Sequence, residues 1–264
     1  MALNRSRLDR FISEKMKISR RDVRLMLAQK RITVDACIAT DIEQIIDRFS
    51  DVRCDEQRLQ NNKPIYIMQH KPIGVVSATK DEQHKTVIDL LHQQLQLPGS
   101  SLEANTSSSS TLESLYEGDE SAWIKELHIV GRLDLNTSGL LLLTNDSRWS
   151  SHITSPENKI TKYYHVTLEK KLSEKYIAAF TRGMYFEFEN ITTQPADLTI
   201  LSPYTARLGL VEGRYHQVKR MFGRFDNKVI KLHREKIGAL QLDDNLAPGE
   251  SRLLSSCEVD YIKS

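Results

Sequence analysis

Cysteine is scarce in this chain of 264 residues, and its spacing excludes two structural roles. Three cysteines occur, at Cys37, Cys54 and Cys257, and no C-x-x-C pair is present. So few and so scattered cysteines exclude a disulfide framework and a cysteine-based zinc site. Free thiols are typical of a reducing compartment. The start of the chain is polar and charged, without the apolar segment of a signal peptide, so we expect a cytoplasmic location.

Long apolar runs and cofactor-binding motifs are also missing. No segment approaches the about 20 apolar residues that cross a bilayer, so we expect no membrane partner. The sequence has no G-x-x-x-x-G-K-[ST] motif, no G-x-G-x-x-G motif after a strand, and no ligand cluster at metal-binding spacing. We therefore expect a protein that uses no metal, nucleotide or flavin cofactor.

Charge is segregated along the chain, although the formal net charge is only +2. Residues 1–31 carry ten Lys or Arg against three acids, and residues 212–236 carry eight against three. Two basic regions predict a polyanionic partner better than the total charge does, although most charge runs are simply solvated surface. Residues 98–124 have five acids, no Lys or Arg and a serine run, which predict a mobile surface insertion of unknown role.

Residues 1–60 have the pattern of a small helix–helix–hairpin domain. Apolar residues at i, i+3 and i+4 from Leu8 predict a first helix. Ser19 and Asp22 have the spacing of a capping box, which starts a second helix at the next residue. A strand then leads to a turn at Asp35-Ala36, where the glycine usual in such hairpins is missing and the turn type stays open.

This order of elements resembles the S4 RNA-binding domain, whose helix pair presents basic residues to RNA. The resemblance implies that residues 1–60 bind RNA. The positions that match the basic face of that domain are Arg20, Arg21, Arg24 and Arg31. A helical cap with a basic surface is the alternative, and the order of the elements disfavours it.

Residues 64–264 alternate between strand-like and helical segments, after a polar stretch that ends at Pro64. Residues 205–211 have the alternation of a strand, and residues 214–225 have the apolar spacing of a helix. Such an order predicts an α+β fold in which the strands meet in one central sheet.

A single carboxylate, Asp134, precedes the apolar run Leu140 to Leu143. A buried strand holds its flanking turn rigidly, and a rigid carboxylate suits nucleophilic catalysis. Aspartate in a turn also commonly binds its own backbone and does nothing else, and spacing alone favours that explanation.

The wording of the turn favours catalysis. Gly131-Arg132-Leu133-Asp134 closely resembles the catalytic motif of the RsuA-type pseudouridine synthases, which modify ribosomal RNA. The resemblance implies that Asp134 is the nucleophile or base, and that Arg132 fills the space left by the extracted uridine or binds its phosphate. It also implies a mostly antiparallel central sheet flanked by helices. Lys71-Pro72-x-Gly74 resembles the opening motif of the family, whose role is largely structural.

A second motif supplies an aromatic residue. Residues 162–166, Lys-Tyr-Tyr-His-Val, resemble the K-x-Y-x-V motif of the family, which implies that Tyr164 stacks on the uracil and takes part in removing the C5 proton. Tyr163 is the alternative if the register differs by one, because side chains alternate along a strand. A tyrosine that simply packs in the sheet is the general expectation for any single position.

A third motif supplies cations. Residues 212–222 resemble a family segment in which the position of Lys219 pairs with the catalytic aspartate. A neighbouring cation favours the ionised form of a carboxylate in a dry pocket. Arg214 and Arg220 are alternatives for this role and are otherwise expected to bind RNA. His216 could serve as a general base, but the mechanism that the resemblance implies needs no histidine there, so we assign it no role.

The resemblance covers nearly the whole chain and implies conversion of uridine to pseudouridine in ribosomal RNA. The wording of residues 215–219 is similar to that of the small-subunit members, so the expected target is uridine 516 of 16S ribosomal RNA, free or in an assembly intermediate, and the expected state is a monomer. A synthase for 23S ribosomal RNA or transfer RNA, and a non-catalytic ribosome-assembly factor, are the alternatives. Asn136 and Ser147 depart from the pattern of relatives and should affect the shape of the loop more than its chemistry.

Overall fold

The computed structural model describes residues 5–96 and 123–262. The chain divides into two units, Met1–Pro64 and Ile65–Ser264. The described part of the first unit contains two helices and six short strands: β1 Ser6–Arg7, α1 Leu8–Met16, α2 Arg20–Ala28, β2 Ile32–Val34, β3 Cys37–Ile38, β4 Ile45–Ile46, β5 Val52–Cys54 and β6 Gln57–Gln60.

Local sequence explains the helices of this unit. The Ser19 side chain accepts a hydrogen bond from the Asp22 amide, and the Asp22 side chain accepts one from the Ser19 amide, so the capping box forms and α2 begins where predicted. Leu8 and Ile12 lie on one face of α1 and are fully buried. The four-stranded sheet of this unit has the order β3-β2-β5-β6.

The hairpin between β2 and β3 has two consecutive left-handed residues. Asp35 has φ 50° and Ala36 has φ 65°, the combination of a type I′ turn. A side chain at such a φ costs about 1–2 kcal/mol, whereas glycine adopts it freely at a smaller cost in backbone entropy.

We expect Ala36→Gly to raise the free energy of unfolding of this unit by about 0.5–1 kcal/mol, because the relief of strain exceeds the entropic cost. Amide hydrogen exchange of the β2–β3 hairpin measures the effect. Ala28→Gly is the matched control: it changes the same residue type within α2 and should lower the free energy of unfolding by about 1 kcal/mol. A decrease for both variants would contradict the prediction.

The second unit is built on one large mixed sheet with helices around it. Its described elements are β7 Tyr66–Lys71, α3 Val87–Gln96, β8 His128–Val130, β9 Ser138–Thr144, α4 Ser147–Thr154, β10 Lys162–Leu168, α5 Glu174–Arg182, β11 Tyr185–Phe186, β12 Ile191–Thr192, β13 Asp197–Ser202, β14 Thr205–Leu210, α6 Gln217–Gly223, β15 Val229–Ile237, β16 Leu240–Gln241, β17 Ser251–Leu253 and α7 Ser256–Tyr261.

The strand order of this sheet is β13-β14-β10-β15-β9-β7-β17, with β8 paired to β9 and β16 paired to β15. Every pairing is antiparallel except β15 with β9, which is parallel. The predicted α+β fold with a mixed, mostly antiparallel sheet is therefore confirmed.

Strand β9 is the buried centre of the unit. Leu140 to Leu143 are all fully buried, because alternate side chains enter two different apolar clusters, one with α4 and α7 and one with α3. This burial on both faces explains the continuous apolar run, and it anchors the turn that precedes the strand.

Two sequence predictions need correction or restriction. The helix expected at residues 214–225 spans only Gln217–Gly223, because His216 has a left-handed φ of 49° that stops the helix from starting earlier. The insertion expected at residues 98–124 lies outside the described residues except at its end, where Ile124 is buried in an apolar cluster. Within the described ranges, no helix has the length and apolarity that a membrane span requires.

Candidate active site

A concave cavity of about 590 Å³ opens where the turn before β9 faces α6. Asp134, Arg132, Tyr164, Lys219 and Arg214 all line it. The fold therefore brings together most of the residues that were expected to act on one substrate, although they come from three separate motifs. Arg220 is absent from the lining.

Hydrogen bonds hold the Asp134 turn on two sides. The Thr137 amide donates to the Asp134 carbonyl oxygen at 3.0 Å and closes the turn. The Ser77 hydroxyl donates to the Leu133 carbonyl oxygen at 2.9 Å and accepts from the Leu133 amide at 3.0 Å. Leu133 is itself buried. The backbone that carries the carboxylate is thus fixed before any substrate binds.

Lys71 also holds the Asp134 turn, through the carbonyl oxygens of that turn. Its side chain is fully buried, and its Nζ donates to the carbonyl oxygens of Thr137 at 2.8 Å, Pro72 at 2.9 Å, Asp134 at 3.1 Å and, more weakly, Leu135 at 3.5 Å. Burial lowers the pKa of Lys71 to about 8, a change that Arg234 reinforces and Asp134 opposes. The opening motif suggested a structural lysine, and these carbonyl contacts show which turn it supports.

Two nitrogen groups face the Asp134 carboxylate. Lys219 Nζ and His216 Nε2 each lie 3.6 Å from Asp134 Oδ2. The two alternatives to Lys219 bind elsewhere, since Arg214 pairs with Glu212 and Arg220 with Glu189. Lys219 is therefore the only Lys or Arg of the third motif that forms an ion pair with Asp134.

His216 lies in the site, although the sequence analysis considered it and gave it no role. It precedes α6 with a left-handed backbone, which turns its ring towards Asp134. The Tyr215 ring stacks on the His216 ring with centroids 3.9 Å apart, and Tyr215 is 72% exposed at the cavity wall. The sequence did contain one indication of this role: His216 is only three residues before Lys219, which was expected to contact the same carboxylate.

The structure distinguishes the two tyrosines of the second motif. Tyr164 lines the cavity and packs against two of the apolar clusters. Tyr163 points to the other face of the sheet, where its ring lies below the Lys236 ammonium at 5.6 Å from Nζ. Tyr164 is therefore the aromatic residue available to a ligand in the cavity.

The predicted RNA-binding arginines fall into two groups. Arg20, Arg21 and Arg24 are exposed on α2, and Arg132 is exposed at the cavity. The remaining predicted arginines have carboxylate partners: Arg31 forms two hydrogen bonds with Asp55, and Arg214 and Arg220 form the pairs given above. The first group is free to bind phosphate, whereas the second would first have to exchange a protein partner.

Around Asp134 the cavity offers a carboxylate with two nearby nitrogen groups, and the rings of Tyr164 and Tyr215 also line it. Within residues 5–96 and 123–262, no group of three or more His, Cys, Asp or Glu residues could hold a metal ion. Of the two departures from the motifs of relatives, Asn136 is exposed in the turn and Ser147 begins α4 behind the Asp146 cap.

Comparison with known proteins gives one consistent result. The RNA pseudouridylate synthase family model matches residues 65–223. The ribosomal small subunit pseudouridine synthase A of Pseudomonas aeruginosa is 43% identical over 254 residues, covering 96% of this chain and 98% of the relative. The protein of the same name in Escherichia coli K12 is 37% identical over 96% and 98% of the two chains. A crystal structure of a pseudouridylate synthase superposes with a TM-score of 0.63 at 33% identity, covering 97% of this chain and 99% of the other.

Proposed function

We propose a specific reaction from the premise that this chain belongs to the RNA pseudouridylate synthase family: it converts uridine 516 of 16S ribosomal RNA to pseudouridine, with Asp134 as the catalytic carboxylate. Relatives at 36–43% identity are named as small-subunit enzymes, which supports the ribosomal target. We further propose that the protein acts in the cytoplasm as a monomer, on 16S ribosomal RNA or a small-subunit assembly intermediate.

The reaction is an isomerisation that the cavity suits. The C1′–N1 bond breaks, the uracil turns, and C5 forms the new bond to C1′ while its proton leaves. The target nucleotide has to leave its helix, which costs a few kcal/mol of stacking. In this proposal Arg132 at the cavity wall offsets part of that cost, Tyr164 stacks on the extracted uracil, and Asp134 acts on the nucleoside.

The observation that carries the proposal is the meeting of Asp134, Lys219 and Tyr164 in one cavity. A carboxylate near an ammonium and an aromatic ring, on a turn held by backbone hydrogen bonds, is pre-organised for chemistry on a flat nucleobase. A protein that only binds RNA gains nothing from a carboxylate that would repel phosphate. The alternative of a non-catalytic assembly factor therefore has no support from the site.

A pseudouridine map of ribosomal RNA tests the target. RNA from a strain that lacks this protein is labelled with carbodiimide and analysed by primer extension, in parallel with RNA from the complemented strain. We expect the stop at position 516 of 16S ribosomal RNA to disappear and to return on complementation. A stop that persists in the deletion strain would refute the target. A loss in 23S ribosomal RNA or transfer RNA instead would identify the alternative substrate.

Binding to RNA should depend on the exposed arginines of α2 and on salt. Each phosphate contact releases counterions, so replacing Arg20, Arg21 and Arg24 with Gln should reduce the slope of log K against log salt by about 2–3. We expect affinity at moderate salt to fall about 10- to 100-fold. Titration of a 16S ribosomal RNA fragment at several salt concentrations measures both quantities.

A second triple variant controls for total charge. Lys171, Lys175 and Arg182 are exposed in and beside α5 of the other unit, and their replacement by Gln removes the same charge. This control should leave the slope nearly unchanged. Equal slopes for the two triple variants would show that α2 makes no special contact with RNA.

A further inference from the structure

A buried arginine, Arg234, lies on the wall of the same cavity. Residues 232–238 belong to the segment that resembles the family, but the resemblance gave Arg234 no role. Arg234 occupies the middle of β15 and is only 4% exposed. Its Nε donates to the Leu140 carbonyl oxygen at 2.7 Å, while its Nη2 is buried and finds no hydrogen-bond partner within the described ranges. Leaving a charged donor unsatisfied in the interior costs free energy, so such a group calls for an explanation.

The backbone fixes this arginine against the Asp134 turn. Arg234 pairs in parallel with Gly139 of β9, and a Cβ at Gly139 would lie only 2.2 Å from the Arg234 carbonyl oxygen. Gly139 has φ 112° and lies near the start of β9, five residues after Asp134. The close approach therefore allows only glycine there and holds the Arg234 backbone against β9, to which the Nε–Leu140 hydrogen bond also joins the guanidinium.

The surroundings of Arg234 carry positive charge. Lys162 lines the cavity and donates to the Ile153 carbonyl oxygen, and its pKa is lowered to about 8 by burial and by repulsion from Arg234. The acids in the cavity lining are Asp134, which faces Lys219 and His216, and Glu212, which binds Arg214. The described lining thus offers no carboxylate to the Arg234 guanidinium, and this part of the wall suits an anion.

The position of Arg234 favours a nucleobase, and not a phosphate, as the anion that this part of the wall binds. Arg234 is directly opposite Tyr164 in the pairing of β10 with β15, and opposed residues of an antiparallel pair project from the same face of the sheet. A ligand stacked on Tyr164 therefore has Arg234 beside it. Arg132, which is exposed and also lines the cavity, is better placed for the phosphate of the nucleotide.

The reaction itself creates an anion on the base. When the C1′–N1 bond breaks, the bonding electron pair stays on the uracil and is delocalised over N1, O2 and O4. The sugar is left electron-deficient, and Asp134 relieves this by forming a bond to C1′ or by accepting a sugar proton. Attack of Asp134 on the base ring would likewise place charge on a uracil carbonyl oxygen. The pair then forms the C5–C1′ bond, the C5 proton leaves and N1 gains one, so the product is an isomer.

We propose that Arg234 is a further catalytic residue of this reaction, which binds the carbonyl oxygens of the uracil and stabilises the negative charge that develops on them, with Lys162 adding to the positive potential. The Thr137 hydroxyl, 1% exposed and also without a hydrogen-bond partner among the described residues, is a second donor on the same wall. The proposal rests on the proposed function, since it needs a uridine in this cavity.

A comparison of two leaving groups tests the proposal. The wild-type enzyme or the Arg234→Gln variant is mixed, in excess, with an RNA that the wild type converts. The RNA carries either uridine or 5-fluorouridine at the target position. Nuclease digestion and chromatography then measure the loss of the parent nucleoside over time. Fluorine withdraws electrons and stabilises the uracil anion without the protein's help. We expect Arg234→Gln to lower the single-turnover rate constant on uridine about 10²- to 10³-fold. The loss on 5-fluorouridine should be several-fold smaller. The Kd for RNA should stay within about threefold of the wild-type value.

Two other variants keep the test valid if Arg234→Gln fails to fold. Arg234→Lys keeps the charge and should lose less rate than Arg234→Gln. Thr137→Val removes a hydroxyl that has no described partner, so its thermal unfolding should match the wild type while its rate constant on uridine falls about tenfold. Equal losses on the two nucleosides would show a structural role and overturn the proposal, as would a loss confined to the Kd.

The outcomes also separate this proposal from the proposed function. An active Asp134→Asn variant, or an unchanged position 516 in the deletion strain, would overturn the assigned carboxylate or the assigned target. Neither result would change the comparison made with Arg234→Gln. That comparison needs only an RNA that the wild type converts, with uridine or 5-fluorouridine at the target.

Discussion

Asp134→Asn is expected to lower the single-turnover rate of pseudouridine formation by at least about 10⁴-fold, which is the scale of loss when a nucleophile or its base is removed. Asparagine keeps the shape of the side chain but is neither a nucleophile nor a base at neutral pH. The Kd for RNA should stay within about threefold, because the exposed arginines and the cavity walls are unchanged. Stability should change by less than about 1 kcal/mol, since the partly exposed ion pair with Lys219 contributes little.

Release of tritium from [5-³H]uridine in a 16S ribosomal RNA fragment measures the rate, and filter binding measures the Kd. Asp197→Asn is the matched control, because Asp197 is exposed on the edge strand β13 and does not line the cavity. That variant should keep wild-type activity. If Asp134→Asn retained a tenth or more of the wild-type rate, Asp134 would not be the catalytic carboxylate.

Local patterns in the sequence were sufficient for several features of the fold. The capping box at Ser19 set the start of α2, and the apolar run from Leu140 to Leu143 indicated a buried strand. Each of these features depends on residues that are close in sequence, so spacing alone carries the information. The three motifs also led to one cavity, because each resembled a family segment whose residues meet in space.

Contacts between distant segments could not be predicted in this way. Arg220 was expected to bind RNA, yet it pairs with Glu189, which is 31 residues away and belongs to the loop between β11 and β12. The start of α6 was placed too early because apolar spacing does not show that His216 adopts a left-handed backbone. Arg234 reaches the site because β15 pairs with both β9 and β10, and a single sequence does not specify strand order.

Lys71 is the clearest case in which a motif indicated a structural residue but not the segment that it supports. Its Nζ reaches the carbonyl oxygen of Asp134, 63 residues away, at the point where β7 ends beside the turn that precedes β9. The antiparallel register places Lys71 opposite Gly139, so the lysine and the Asp134 turn meet at the same end of the sheet. The position of the Asp134 carboxylate therefore depends on a cation that is not among the residues lining the cavity.

Lys71→Met is expected to lower the free energy of unfolding by about 3–4 kcal/mol. The carbonyl oxygens of Pro72, Asp134 and Thr137 lose their donor, and a hydrogen bond to a charged group contributes about 1.5–3 kcal/mol. Removal of the buried charge, whose cost is evident in the lowered pKa, offsets part of this loss. The melting temperature should fall by about 6–16 °C for a unit of this size. Because the turn is loosened, the rate constant should also fall about 10- to 100-fold at a temperature where the variant is folded.

Calorimetry and single-turnover assays at low temperature measure the two effects. Lys175→Met is the matched control: Lys175 is exposed on α5, and the same substitution there should change stability by less than about 0.5 kcal/mol. A variant at Lys71 with a wild-type melting temperature would show that the carbonyl contacts do not hold the turn.

The pH dependence of stability gives an independent check on the same ammonium. Its pKa is about 8 in the folded protein against an ordinary value of 10.5, so between these values the unfolded chain binds more protons than the folded one. Stability then rises with pH, by up to about 1.4 kcal/mol per pH unit from this group. Lys71→Met lacks this contribution, so the difference in unfolding free energy between wild type and variant should be constant below pH 8 and grow above it. A constant difference from pH 7 to pH 10 would mean that Lys71 keeps an ordinary pKa, and that its four carbonyl partners offset the effect of burial.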